Sequence, residues 1–145
     1  MEETVIGIRD LRKNMADVID KVTSRYDVIT AEDKVRSGRR ASIISTDMLK
    51  EIMNGYKMTG EVVWDEATQQ FYAKVNEIEI DGVGDTQAEA VRMAMDNAEM
   101  AAENFFELAE MYMKVGKYRE MYPYLLKIRL SDIFHVSLKE TLGFQ

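Results

Sequence analysis

No cysteine occurs in the chain, which excludes disulfides, thiolate zinc sites and cysteine nucleophiles together. Histidine is nearly as scarce. The single one, His135, lies between Phe134 and Val136, so the paired-histidine spacings of metal sites are missing and a packed or hydrogen-bonded imidazole is the expectation. Neither a metal nor a cofactor is expected. Long apolar runs are also lacking, as is a basic leader followed by an apolar stretch, so the reading is an unexported cytoplasmic protein with no membrane partner. Phosphate-cradling glycine loops and nucleophile motifs do not occur. Carboxylates are plentiful, and Asp65, Glu77, Asp81 and Asp85 could in principle gather around magnesium as in nucleases. On the turns of an acidic protein such groups are ordinarily just solvated, and no catalysis is expected.

What remains is a chain of 145 residues, 46% apolar, with a net charge of −7. That is enough for one ordinary domain or two small ones with a packed core. The charge is unevenly placed: through Gly60 there are 11 bases and 10 acids, so the other 85 residues carry −8. A step of this kind marks two regions with different partners. The segment Asn54–Gly60 has a glycine near each end and lies at the step, which predicts a linker between an N-terminal domain, residues 1–54, and a C-terminal domain, residues 60–145.

In the N-terminal region, the β-prone run Thr4–Ile8 precedes a helical pattern with Leu11, Met15, Val18, Ile19 and Val22 on one stripe. Tyr26–Thr30 and Ala41–Ser45 are expected to form a hairpin with a long polar tip, 31–40. Thr46 is the expected cap of a last helix, Asp47–Met53. Strand, helix, hairpin and helix within about 53 residues bury little surface alone, so pairing with a second copy is expected.

The order of these elements, the helix signature Arg12-Lys13-Asn14-Met15, the hairpin with Val28-Ile29-Thr30 and Gly38-Arg39-Arg40-Ala41-Ser42-Ile43-Ile44-Ser45, and the closing Asp47-Met48-Leu49 resemble the Phd/YefM antitoxins. The resemblance covers Val5 to about Met53. It implies a symmetric dimer that binds its own operator DNA, with Arg12 as the first choice for contact to phosphate and groove. Arg39 and Arg40 match basic positions after the turn glycine and are further candidates. Arg9 stands where a capping serine is common, and Ala31 where a second DNA-facing arginine often follows; Arg9, Lys13 and Arg36 complete the candidate DNA-binding set, with Lys34 beside it. Taken alone, a basic hairpin tip neighboured by Glu32 and Asp33 is an ordinary solvated turn. The family pattern lifts it above that.

In the C-terminal region, Glu61–Trp64 and Gln70–Val75 are strand-like runs around a polar turn, and a third strand is expected near Glu77–Ile80. Thr86-Gln87-Ala88-Glu89 is a capping box opening a helix of about seven turns, closed by Lys114 and Gly116. Its apolar stripe runs through Ala90, Val91, Ala94, Met95, Ala98, Ala101, Ala102, Phe105, Leu108, Ala109 and Tyr112. This arrangement resembles the HicB antitoxin fold over about Gly60–Tyr112, although the segment before the third strand lacks that family's Pro-x-Leu-Pro-Gly. The implied architecture is a three-stranded antiparallel sheet crossed by a helix, related in shape to ribonuclease H but without its activity. Beyond Pro123, Tyr124–Leu130 alternates like a strand, and Ser137–Leu142 suits a short helix.

The fold class expected is therefore α+β, and the function that of a type II antitoxin, neutralising a toxin protein and repressing its own operator. Met93, Met100, Phe106, Met111 and Met113 exceed what one helical stripe needs and are the candidate partner-binding residues. Structural packing against the segment after Pro123, or at a dimer contact, would account for them equally well. Methionines adapt to irregular surfaces, and the adjacent Glu99, Glu103, Glu107 and Glu110 suit a basic, ribonuclease-type toxin. The rival is a stand-alone dimeric transcriptional regulator whose C-terminal domain binds a small molecule or completes the dimer; a short basic reading frame beside the gene would favour the antitoxin.

Overall fold

The computed structural model describes residues 5–35 and 38–145 and divides the chain into two compact units, 1–52 and 53–145. The architecture is α+β in both. In the first, β1 (Val5–Gly7) leads into α1 (Ile8–Lys13) and α2 (Met15–Ser24). The chain returns as β2 (Ile29–Asp33), parallel to β1 with Val5 opposite Thr30, since parallel neighbours need a crossover and the two helices supply it. β3 (Arg39–Ile43) then pairs antiparallel to β2, giving the order β1-β2-β3. The predicted single helix is broken at Asn14, whose φ of −118° leaves the helical region and whose side-chain amide donates to the Asp10 carbonyl at 3.0 Å.

The hairpin strands lie closer to the tip than the pattern suggested. Tyr26 adopts a left-handed φ of 59° and the Asp27 N–H donates to the Lys21 carbonyl, so residues 26–27 finish the helix turn rather than start a strand. At the other end, pairing runs on to Glu32 opposite Arg40 and Asp33 opposite Arg39, opposite charges that favour the extra register. Helix α3 (Thr46–Met53) is capped one residue earlier than expected: the Ser45 hydroxyl accepts from the Met48 N–H at 3.1 Å. The core of this unit is small, built on Val18, Val22 and Ile29 with Ile6, Leu11 and Ile43 around them.

The second unit is an antiparallel sheet, β4 (Gly60–Asp65), β5 (Gln70–Val75) and β6 (Ile80–Gly84) in that order, crossed by the long helix α4 (Gln87–Glu107). The third strand starts later than expected because Asn76–Ile78 forms a 3₁₀ turn that buries Ile78, and Glu79, at φ 53°, reverses the chain into β6. The capping box forms at Thr86, which accepts from the Glu89 N–H at 3.1 Å; Glu89 in return accepts from the Asp85 N–H, one residue before the usual donor.

Four alanines, Ala90, Ala94, Ala98 and Ala102, form the buried face of α4. Against them stands Gly82, where a Cβ would come within 2.3 Å of the Ala94 nitrogen and 2.5 Å of the Ala90 carbonyl. Small residues on both sides let helix and strand backbones touch, and the Asn97 amide closes the contact by donating to the Asp81 carbonyl at 2.7 Å.

The long helix ends earlier than predicted. Leu108, with φ −115°, breaks it, and a separate turn α5 (Ala109–Tyr112) follows. The larger correction lies beyond: the expected strand at Tyr124–Leu130 belongs to α6 (Gly116–Arg129), with Pro123 inside it. Started from Tyr118, the apolar positions Met121, Tyr122, Leu125 and Ile128 recur every three to four residues, and that face packs on α4. A last short helix, α7 (Leu138–Thr141), is capped by Ser137. His135 is exposed rather than packed, in a left-handed turn (φ 56°) that gives the buried position to Phe134. Leu142 and Phe144 return to the core, where the Phe144 ring lies against Gly60. The predicted linker residues are held in this unit: Met58 is buried in its core, Tyr56 meets Tyr124 edge-on at 5.7 Å, and Thr59 donates through its N–H and hydroxyl to the Glu77 carboxylate.

Candidate functional site

Two surfaces carry the residues singled out above, one on each unit. On the first unit, Arg9, Arg12 and Lys13 stand exposed on α1, and Arg39 and Arg40 are exposed on β3. None of these five forms an ion pair with a carboxylate among the described residues. Arg36 lies outside the described residues. The same unit exposes apolar side chains: Met15 and Ile19, one turn apart on α2, are 44% and 45% exposed, and Ile8, Met48 and Ile52 are exposed as well. A unit with so small a buried core and this much apolar surface open to water is poorly stabilised alone.

On the second unit, the five partner candidates separate into two groups. Met93, Met100 and Met111 are exposed, Met100 most of all at 61%. Met93 is additionally fixed by its sulfur, which accepts from the Val83 N–H at 3.3 Å. Phe106 and Met113 are half-buried against the core. Leu108 and Val115 are exposed as well; the sequence pattern puts Leu108 on the packed stripe, but the helix break at this residue, which no glycine or proline marks, turns it out to solvent.

Between α4 and the end of α6 lies a groove of about 530 Å³. Phe106, Ile128 and Leu138 line it, and Glu99, Glu103, Glu107 and Asp132 carry its charge. The Arg129 guanidinium sits 4.5 Å from the centre of the Phe106 ring, a cation held on an aromatic face. Sequence reasoning found the glutamates but not the groove, since its second wall is the segment taken for a strand.

The four carboxylates weighed as a nuclease site are occupied otherwise or apart. Asp65 holds its own turn, accepting from the Ala67 N–H and the Thr68 hydroxyl. Glu77 binds Thr59, and Asp81 accepts from the Tyr72 hydroxyl at 2.6 Å. No group of three acidic or histidine side chains that could hold a metal occurs among the described residues. The Asp81 contact pushes the Tyr72 phenol above its ordinary pKa, because the hydrogen bond favours the protonated form and the carboxylate repels a phenolate. Lys127 is shifted the other way, by burial first and then by repulsion from Lys57, while its ammonium donates to the Tyr56 carbonyl at 3.2 Å.

A family model described as the antitoxin of a toxin-antitoxin, RelE/RelB, TA system matches residues 1–138. The chain belongs to this PHD-like family of antitoxins. A toxin is therefore the partner of this antitoxin, and the family is one of binding proteins rather than enzymes. No curated protein sequence matches the antitoxin. A crystal structure from Syntrophomonas wolfei subsp. wolfei, described as an antitoxin part of a toxin/antitoxin system, is similar to it with a TM-score of 0.73 over 98% of this chain and 96% of that one. Their sequences are 18% identical, so the likeness bears on the fold. No helix among the described residues is long and apolar enough to cross a membrane.

Proposed function

We propose that this antitoxin divides its work between its units: the first, of Phd/YefM type, pairs with a second copy and binds operator DNA, while the second, HicB-like in plan, holds a basic toxin of ribonuclease type. The observation that carries this reading is the distribution of charge over the two compact units. The first is electrically neutral but sets exposed Arg9, Arg12 and Lys13 together on α1, whereas the second carries the whole of the net −7. Bases repeated across a two-fold contact phosphates on both arms of a palindrome and fix the register of the dimer on it. The exposed Met15 and Ile19 supply an apolar face for that pairing. On the second unit, exposed methionines set among Glu99, Glu103, Glu107 and Glu110 suit a positively charged protein surface, which they would attract from a distance and then pack against.

The experiment is a separation of the two roles in the full chain. Arg12→Ala should weaken binding to the chain's own promoter and reduce the slope of log affinity against log salt by roughly 1 to 2 for a dimer, with toxin neutralisation intact. Met100→Glu with Met111→Glu should do the reverse. If Arg12→Ala leaves the gel shift and its salt dependence unchanged, the DNA assignment is wrong; if the methionine pair still rescues growth against the toxin, the assignment of the partner face is wrong.

A further inference from the structure

We propose that the groove between α4 and the end of α6 receives arginine side chains of the toxin, an inference that rests on the toxin-binding role proposed for the second unit and names the chemistry by which it binds. Its floor is apolar, formed by Phe106, Ile128 and Leu138, and its rim is acidic. Glu99, Glu103 and Glu107 follow at intervals of four on one ridge of α4, with Asp132 in the α6–α7 connection. None of the four is in an ion pair among the described residues. Like charges stacked at this spacing repel and cost helix stability, so the ridge is held without internal compensation.

The groove also shows what kind of cation it accepts. Arg129 already lies over the Phe106 ring at 4.5 Å, yet one guanidinium beside four carboxylates leaves the groove strongly negative. A partner's guanidinium fits the remainder better than an ammonium does. It is planar, can bridge two carboxylate oxygens in parallel, and rests on apolar or aromatic surface while doing so. The half-open shape, about 530 Å³ with an apolar floor, suits side chains projecting from a protein segment.

The test uses the full chain and two synthetic ten-residue peptides, one carrying three arginines in a glycine–serine background and the other three lysines. Binding is measured by calorimetry for the wild type, for a groove variant (Glu99→Gln, Glu103→Gln, Glu107→Gln) and for a control variant (Glu66→Gln, Asp85→Asn, Glu120→Gln). Both variants lose three negative charges, so a general effect of net charge cancels, and glutamine keeps the helix propensity of glutamate. The arginine peptide should bind the groove variant about tenfold more weakly than wild type and the control variant within about twofold. The lysine peptide should bind wild type several-fold more weakly than the arginine peptide. Equal weakening in both variants, or equal binding of the two peptides, overturns the proposal.

A second arm uses the toxin encoded beside the antitoxin. If wild type binds it and the groove variant binds it equally well, the groove is not the site, while the toxin-binding role of the unit stands. If the wild-type second unit makes no contribution to toxin binding at all, that role falls, and the toxin as occupant falls with it.

Discussion

Replacing Gly82 by alanine adds one methyl group at the most closely packed point of the second unit. The added Cβ would lie 2.3 Å from the Ala94 nitrogen, 2.5 Å from the Ala90 carbonyl oxygen and 2.8 Å from the Met93 carbonyl carbon. All three are backbone atoms of α4, so no side chain can rotate away. Restoring an ordinary contact of about 3.5 Å requires helix and sheet to part by roughly 1 Å, a gap that forfeits a quarter to a half of the dispersion energy along the seam. Added to the ordinary cost of overpacking, about 1–3 kcal/mol, this predicts a loss of at least about 3 kcal/mol. For a unit of this size that corresponds to a fall of roughly 12–24 °C in melting temperature. The single tryptophan, Trp64, lies in β4 with its ring edge-on to Phe71 at 5.0 Å, so its fluorescence reports the melting of this unit separately from the first. Gly116→Ala is the matched control, because nothing lies within 4 Å of its added Cβ at the start of α6, and it should be neutral or slightly stabilising. Adding Ala94→Gly to Gly82→Ala should not rescue, since the obstructing atoms are main chain. A Gly82→Ala protein that melts within about 3 °C of wild type would refute the argument that the two backbones are in contact.

Thr86→Ala removes the acceptor for the Glu89 N–H and should cost about 1 kcal/mol, read from the urea midpoint. Tyr72 has its pKa raised in the fold, so its contribution is complete below the ordinary pKa of 10.0 and is lost as pH rises through the higher folded value; the urea midpoint should fall there in wild type and much less in Tyr72→Phe. Lys127 has its pKa lowered, so the fold disfavours its charged form; stability from this group rises as pH climbs from the folded value toward 10.5, and Lys57→Gln should move its titration, followed by carbon NMR, back upward.

Local pattern revealed most of the architecture, and its failures have physical causes. The capping box at Thr86, the alanine stripe of α4 and the turn held by Asp65 are short-range features, and the structure places them as the spacing implied. Tyr124–Leu130 misled because a window opening at Pro123 contains two apolar repeats and fits period two; the three-to-four spacing emerges only when Tyr118 and Met121 are included, across a proline that the helix tolerates. The third strand was misplaced for a different reason: Ile78 serves the core from a 3₁₀ turn, a role decided by tertiary packing against α6. The groove was hidden by the same error as α6. Glu99, Glu103 and Glu107 were visible as a ridge, but its facing wall, Ile128 and Arg129, exists only once that segment is helical.

The return of Leu142 and Phe144 into the core sets an order of events during synthesis. Gly60 begins the sheet, yet the ring that covers it belongs to residue 144, so the sheet cannot be sealed until about 90 further residues have been added to the first unit. At roughly 5–20 residues per second this is a delay of some 5–20 s. Throughout that interval the first unit has its whole sequence available to fold, while the second has no finished surface to offer. On a ribosome, then, the first unit can fold while the second still waits for the residues that close its sheet.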